Sequence, residues 1–123
     1  MARPALEFFD TRITPWKPVE GSNGKAFEKI LSFDPETGSY ARLLMSMPDL
    51  HDLVNDPKGH KGKTLVHDDF TEELIILEGT LVDPRNNATY LSGYYAFRPL
   101  NMEHGPFFHP TGAITFESRT KVK

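Results

Sequence analysis

The chain is 123 residues long, with 14 basic and 17 acidic side chains, a formal net charge of -3 and no cysteine. That length suits one domain with one core, and the missing thiols exclude disulfides, thiolate zinc sites and cysteine nucleophiles. With 38% hydrophobic and 25% charged residues the composition is that of a globular protein, and the mildly acidic balance argues against nucleic acid as a partner.

In chain order, residues 1–24 carry Pro4, Pro15, Trp16 and Pro18 and read as an extended arm laid over the domain, because proline fixes its backbone and removes a ladder donor. Such an arm could reach a neighbouring subunit. It lacks the apolar stretch of a secretory signal, so the expected compartment is the cytoplasm. Residues 25–123 form the expected folded domain. Across the chain 9 glycines and 10 prolines cut the sequence into short apolar stretches, which favours many short strands over long helices. The spacing predicts strands over residues 26–33, 40–45, 64–67, 74–77, 80–82, 88–91, 94–98 and 113–118, most of them rich in β-branched or aromatic residues. Asp34-Pro35-Glu36-Thr37-Gly38 reads as a turn between the first two strands. Asp83-Pro84-Arg85-Asn86-Asn87 reads as a hairpin turn, with further turns at Glu78-Gly79 and Ser92-Gly93. Phe70, Tyr95, Phe97, Met102, Phe107 and Phe116 read mostly as core.

Leu74-Ile75-Ile76-Leu77 is the longest strongly apolar run, far short of the roughly 20 residues of a membrane span. Alternate residues of a strand face opposite sides, so four apolar residues in a row require cover on both faces. One face is expected to line a barrel interior. The other is expected to meet a second sheet, the arm or a second copy of the chain, and a homodimer is the expected assembly.

Chemistry concentrates in two segments. In residues 62–79, His67 and Asp69 share a strand face by the two-residue period, and Glu73 returns to that face after a small bend, so His67, Asp69 and Glu73 are expected to converge. On the same alternation Asp68 and Glu72 are expected to face solvent. In residues 93–104 a strand ends at Pro99 and delivers His104. Imidazole with carboxylate suits iron, manganese, zinc or nickel rather than calcium or Cu(I). Asp69 also reads as a carboxylate that accepts the far ring N–H of His67 and fixes its tautomer. His109, in a loop at the barrel mouth, is a candidate proton donor, with a rim histidine of no function as the plainer reading. Arg98 and Arg42 are the strand-borne arginines suited to a substrate carboxylate or enolate. His51 and His60 read as surface, and Gly59-x-x-Gly62-Lys63-Thr64 lacks the spacing and following helix of a phosphate-binding loop.

The two segments resemble the paired motifs of the cupin superfamily, G-x5-H-x-H-x3,4-E-x6-G and G-x5-P-x-G-x2-H-x3-N. In the first, four residues separate Gly62 from His67, Asp69 stands for the second histidine, and five residues separate Glu73 from Gly79. In the second, Gly93, Pro99 and His104 keep the family spacing, with Asn101 in place of the inner glycine and Phe108 in place of asparagine. Trp16-x-Pro18, Glu72-Glu73-x3-Leu77-x-Gly79, Gly93-x-Tyr95-x3-Pro99 and His104-Gly105-Pro106 look most similar to small acetylacetone-type dioxygenases and to the zinc-binding cupin half of certain anti-sigma factors. The resemblance implies an all-β fold, a double-stranded β-helix or jelly-roll barrel over residues 25–123. It implies one divalent metal ion per chain, held by His67, Glu73, His104 and Asp69. The carboxylate at position 69 hardens the site, which favours Fe(II) first, with Zn(II) or Mn(II) as alternatives. The implied activity is on a small oxygen-bearing organic substrate, by dioxygenase-type cleavage in which the substrate binds Fe(II) as an enolate and O2 attacks the activated carbon. Three other readings stay open: a non-redox Zn(II) or Mn(II) isomerase or hydrolase, a non-catalytic metal-binding sensor, and a cupin that has lost its metal.

Overall fold

The structure, a computed structural model, describes residues 3–122; the first two residues of the expected arm and the last of the expected barrel lie outside the described residues. The elements are β1 (Lys17–Pro18), β2 (Ala26–Phe33), β3 (Tyr40–Ser46), α1 (Leu50–Asn55), β4 (Phe70–Asp83), β5 (Ala88–Leu91), β6 (Tyr95–Arg98) and β7 (Ala113–Lys121), with a 3-10 turn at Thr11–Ile13. The all-β expectation holds. Among the described residues no helix is long and apolar enough to cross a membrane. The short α1 was not expected, because six residues carry too little pattern to betray a helical period.

The strands run antiparallel in the order β1-β2-β3-β7-β4, and the far edge of β4 is shared: residues 72–75 pair with β6 and residues 80–83 with β5. β4 was expected as two strands parted by a turn at Glu78-Gly79. It is instead one strand with a bulge between Ile76 and Glu78. Gly79 carries the bend at a φ of 87°, and a Cβ there would lie 2.1 Å from the Gly112 carbonyl oxygen and 2.7 Å from the Ala113 Cα. Glycine is what lets the bent strand lie against β7. The expected hairpin between β4 and β5 forms, with Asp83 accepting from the Asn86 side chain at 2.8 Å and the Tyr90 hydroxyl at 3.1 Å. Residues 64–67 do not form a strand. Only Leu65 pairs, its N–H donating to the His104 carbonyl at 2.7 Å and its carbonyl accepting from the His104 N–H at 3.0 Å. A second bridge, Val82 to Phe108, ties the loop after β6 across the end of β4.

Strand register assigns the two faces. Glu72, Leu74 and Ile76 of β4 lie in line with Arg119, Glu117 and Thr115 of β7, and Arg42 of β3 lies beside Glu117. This inner face carries a small apolar core, Leu74, Ile76 and Leu81 packed with Tyr90, Ala96 and Phe107. It also carries two buried ionic triads. Arg42 donates to Glu117 at 2.9 Å and to Glu28 at 2.7 Å, and Glu72 accepts from Arg98 at 2.7 Å and from Arg119 at 2.6 Å. On the outer face Tyr95 and Phe97, expected in the core, stand 60% and 50% exposed. Residues 3–18 run along the β2 edge: Arg3 bonds the Ser32 hydroxyl at 3.3 Å, Lys29 donates to the Thr11 carbonyl at 2.9 Å and covers the Trp16 ring, and β1 pairs with β2.

Candidate metal centre

Two loops and one strand converge on the inner face of β4. The bridge between Leu65 and His104 ties the segment before β4 to the loop after β6, and so brings His67 beside His104 with ring centroids 5.1 Å apart. Glu72 enters from β4 on the parity of Leu74 and Ile76. One donor atom each from His67, Glu72 and His104 lie within 4.8 Å of one another. Glu72 and His104 are 3% and 6% exposed, and His67 is half-buried.

The carboxylate in this cluster is therefore Glu72 rather than Glu73, and Glu72 is not the solvated side chain expected. Glu73 is exposed on the outer face, where it accepts from the Tyr95 hydroxyl at 2.8 Å. Asp69 turns to the Lys121 ammonium, whose hydrogen bond holds the carboxyl below its ordinary range, and it stands outside the cluster. The cause is local: the chain bends at Asp68-Asp69 and β4 starts only at Phe70, so alternation counted forward from His67 is reset. Counted back from the buried Leu74 and Ile76, it points Glu72 inward. Arg119, the second arginine on Glu72, also escaped the sequence reading; its signal is the same parity along β7, two positions from Glu117. His109 lies apart from the cluster. Its ring Nδ1 is 3.5 Å from Asp49, its backbone N–H donates to the same carboxylate at 2.6 Å, and it lines a cavity of about 690 Å³ beside α1.

Burial pushes the Glu72 carboxyl up, and Arg119 and Arg98 more than reverse that, leaving it below the ordinary glutamate value. Burial lowers both histidines, reinforced by Arg119 at His67 and by Arg98 at His104. All three groups are thus held in the deprotonated form that a metal needs. His104 sets its Nδ1 3.3 Å from the Met102 carbonyl; that oxygen only accepts, so Nδ1–H donates and Nε2 keeps the free lone pair. His67 stacks on Phe70 at 4.2 Å, and its Nε2 is buried without a hydrogen-bond partner among the described residues, a costly state that a ligand atom relieves. Each Glu72 oxygen gives one lone pair to an arginine and retains another. Two imidazoles and one carboxylate form the donor set of a facial triad, so these residues fit a divalent ion.

Arg98 reaches past Glu72 into a cavity of about 230 Å³ walled by Leu74, Ile76, Ala96, His104 and Phe107. Its guanidinium carbon lies 5.2 Å from the Phe107 ring centroid. That volume lies below the roughly 300–1,000 Å³ of pockets for drug-sized ligands, which suits a small molecule.

The histidines give the metal-free fold an expected pH response. His67, His104 and His109 all sit below the ordinary histidine value, with burial the leading cause in each. As pH falls below about 6.5 the unfolded chain takes up protons that the fold resists, so stability is full above that value and declines toward the lower folded pKa values. The urea midpoint of chelator-treated protein is expected to drop between pH 7.5 and pH 5.5 on this ground, and the drop should shrink in His109→Gln. A flat profile would remove burial as the force acting on these rings.

No protein-family model matches the chain, and no curated protein matches it. Solved structures do. A provisionally named acetylacetone dioxygenase from Methylibium petroleiphilum PM1 superposes with a TM-score of 0.67 at 19% identity, covering 98% of this chain and 83% of that one. An RmlC-like cupin from Shewanella frigidimarina NCIMB 400 gives 0.65 at 17% identity over 100% of this chain and 96% of the other. An acetylacetone dioxygenase from Acinetobacter johnsonii gives 0.67 at 15% identity over 98% and 80%. The fold is that of the cupin β-barrel, as the paired motifs implied.

Proposed function

We propose that this protein is a metal-dependent cupin enzyme in which His67, Glu72 and His104 hold one divalent ion beside the small cavity. The observation that carries the reading is the convergence of three deprotonated donors around the unpartnered His67 Nε2. The bound ion would supply Lewis acidity to an enolisable carbonyl and, as Fe(II), redox chemistry toward O2. Arg98 joins Arg119 in keeping Glu72 ionised and presents the rest of its guanidinium to the cavity, where it would take the negative charge of an enolate or carboxylate oxygen. Leu74, Ile76 and Phe107 give that charge an apolar wall on one side. The best-supported activity is dioxygenase-type cleavage of a small oxygen-bearing substrate, and the solved acetylacetone dioxygenases of the same fold support it. His109 faces the other cavity, so a proton-transfer role for it in this reaction needs a movement of the loop that carries it.

Elemental analysis of untagged protein purified without chelator tests the reading. The expected result is near one iron per chain, lost in His104→Ala while the far-ultraviolet spectrum is kept, with O2 uptake on β-diketones. Zinc or manganese in place of iron would turn the reading to a non-redox isomerase or hydrolase. Protein that takes up no metal on reconstitution would overturn it.

A further inference from the structure

We infer that the ligand of the small cavity is two-ended, with an anionic or enolisable oxygen group at the Arg98 end and a protonated amine received by Asp83 at the other. The inference rests on the reading above only for which end reacts. The bulge in β4 creates the second end. Before it the even-numbered Glu72, Leu74 and Ile76 face inward; the extra residue between Ile76 and Glu78 resets the alternation, and beyond it the odd-numbered Leu81 and Asp83 are buried. Asp83 lines the same cavity as Arg98 and His104, in the company of Asn86 and Tyr90. Two ties hold this end against the loop that carries His104. One is the bridge from Val82 to Phe108, and the other is Arg85 at the hairpin tip, which bonds Glu103. Between the two ends the cavity is walled by Leu74, Ile76 and Leu81.

Asp83 and Glu72 are buried alike, each 3% exposed, but they are compensated differently. Glu72 meets two arginines. Asp83 forms no ion pair among the described residues and has three neutral donors: Oδ2 accepts from the Asn86 side chain at 2.8 Å and the Tyr90 hydroxyl at 3.1 Å, and Oδ1 from the Asn86 backbone N–H at 3.3 Å. A hairpin turn is served as well by an asparagine acceptor, so the turn does not account for a carboxylate at this place. Neutral donors offset only part of the cost of taking that charge out of water. A carboxylate has about four acceptor sites, so Oδ1 keeps one free. An ammonium supplies both the missing donor and the missing charge, in a bond roughly twice as strong as a neutral one; a hydroxyl supplies the donor alone. With a cation at one end and an uncompensated carboxylate at the other, the cavity is complementary to a small dipolar molecule, an ω-amino carboxylate or an amine-bearing β-dicarbonyl.

Calorimetric titration of the full chain with isosteric probes tests this. Pentanoate, 4-hydroxybutanoate and 4-aminobutanoate share a carboxylate for the Arg98 end and differ in the far group, and the same trio is taken one carbon longer and one shorter. At the length that fits, the amine is expected to bind at least about 10-fold more tightly than its methyl counterpart, with the hydroxyl between them. The preference should fall to within about 2-fold in Asp83→Asn and survive in Tyr90→Phe, which keeps the carboxylate. Equal affinities at every length, no binding by any probe, a hydroxyl preferred to the amine, or a preference that persists in Asp83→Asn would each overturn the inference. If Asp83→Asn fails to fold, the wild type and Tyr90→Phe still decide it. Arg98 and Asp83 need no ion to stand where they do, so the titrations are run on chelator-treated protein and repeated after Fe(II) is added under nitrogen. An amine preference in protein that takes up no metal would sustain this inference while the metal reading fails, and metal uptake without the preference would do the reverse.

Discussion

Glu72→Gln is expected to strip the metal and loosen the fold together, whereas Glu73→Gln leaves both nearly unchanged. Glutamine keeps the shape of the side chain and removes its charge. In the cluster that takes away an anionic donor, so the loss of affinity should exceed the roughly 10–100-fold typical of residues that merely orient a ligand. In the barrel wall it leaves the buried Arg98 and the partly exposed Arg119 without a counter-charge and turns the new amide's N–H groups on one of them. Removing one member of a buried ionic group costs about 3–5 kcal/mol, and the exposure of Arg119 places this case toward the lower end. Glu73, exposed and bonded among the described residues to the Tyr95 hydroxyl, should change stability by no more than about 0.5 kcal/mol. Metal per chain and the urea midpoint, measured on both variants, separate the roles. Loss of stability with full metal retention in Glu72→Gln would leave Glu72 as the counter-ion of two arginines and no more. Loss of metal in Glu73→Gln alone would return the carboxylate role to position 73.

That contrast marks where the sequence stopped being legible. The all-β class, the hairpin turn at residues 83–87 and the neighbourhood of His67 and His104 could be read because each rests on local residue types and on motif spacing. The neighbouring carboxylates could not be told apart. Alternation works only along an unbroken strand, and the bend at Asp68-Asp69 sits between His67 and the start of β4. The apolar pair Leu74 and Ile76 held the information, because buried apolar residues fix a strand's parity more firmly than a histidine placed before its first ladder bond. β4 was cut in two for a related reason. Glu78-Gly79 has the composition of a turn, and only the closeness of Gly112 shows that the glycine serves a bulge against β7. Of the run of four apolar residues at 74–77, Leu74 and Ile76 are core as alternation required, while Leu77 stands exposed on the outer face.

The inner face of the sheet also explains how a barrel with so small an apolar core places its donors. Glu28, Arg42 and Glu117 form one ionic triad and Arg98, Glu72 and Arg119 the other, and β7 joins them by carrying Glu117 and Arg119 two positions apart on one face. The first triad has an excess negative charge and the second an excess positive one. The positive end is the one that meets the cavity through Arg98, which is the polarity an anionic or enolate ligand requires.

Arg42→Met is accordingly expected to destabilise the fold by about 3–5 kcal/mol at neutral pH, because it leaves Glu28 and Glu117 facing each other with no cation between them. In the native protein burial opposes the Arg42 charge and the two carboxylates more than offset it, holding the guanidinium above its ordinary value. Without that cation, like charge and burial should push both carboxyls above their unfolded values. A carboxyl raised in the fold binds its proton there more readily than in the unfolded chain, so stability is regained as pH falls through the raised values. The penalty should therefore be largest near pH 7 and shrink toward pH 5, opposite in sign to the histidine-driven loss of the parent protein over the same interval. Urea midpoints of parent and variant at the two pH values measure it, and an equal loss at both would assign the effect to lost packing of the arginine stem instead. Metal retention should fall as well, although Arg42 touches none of the donors, because loosening Glu117 on β7 frees Arg119 from Glu72. Unchanged metal content in a destabilised Arg42→Met would show that the second triad holds the donors without help from the first.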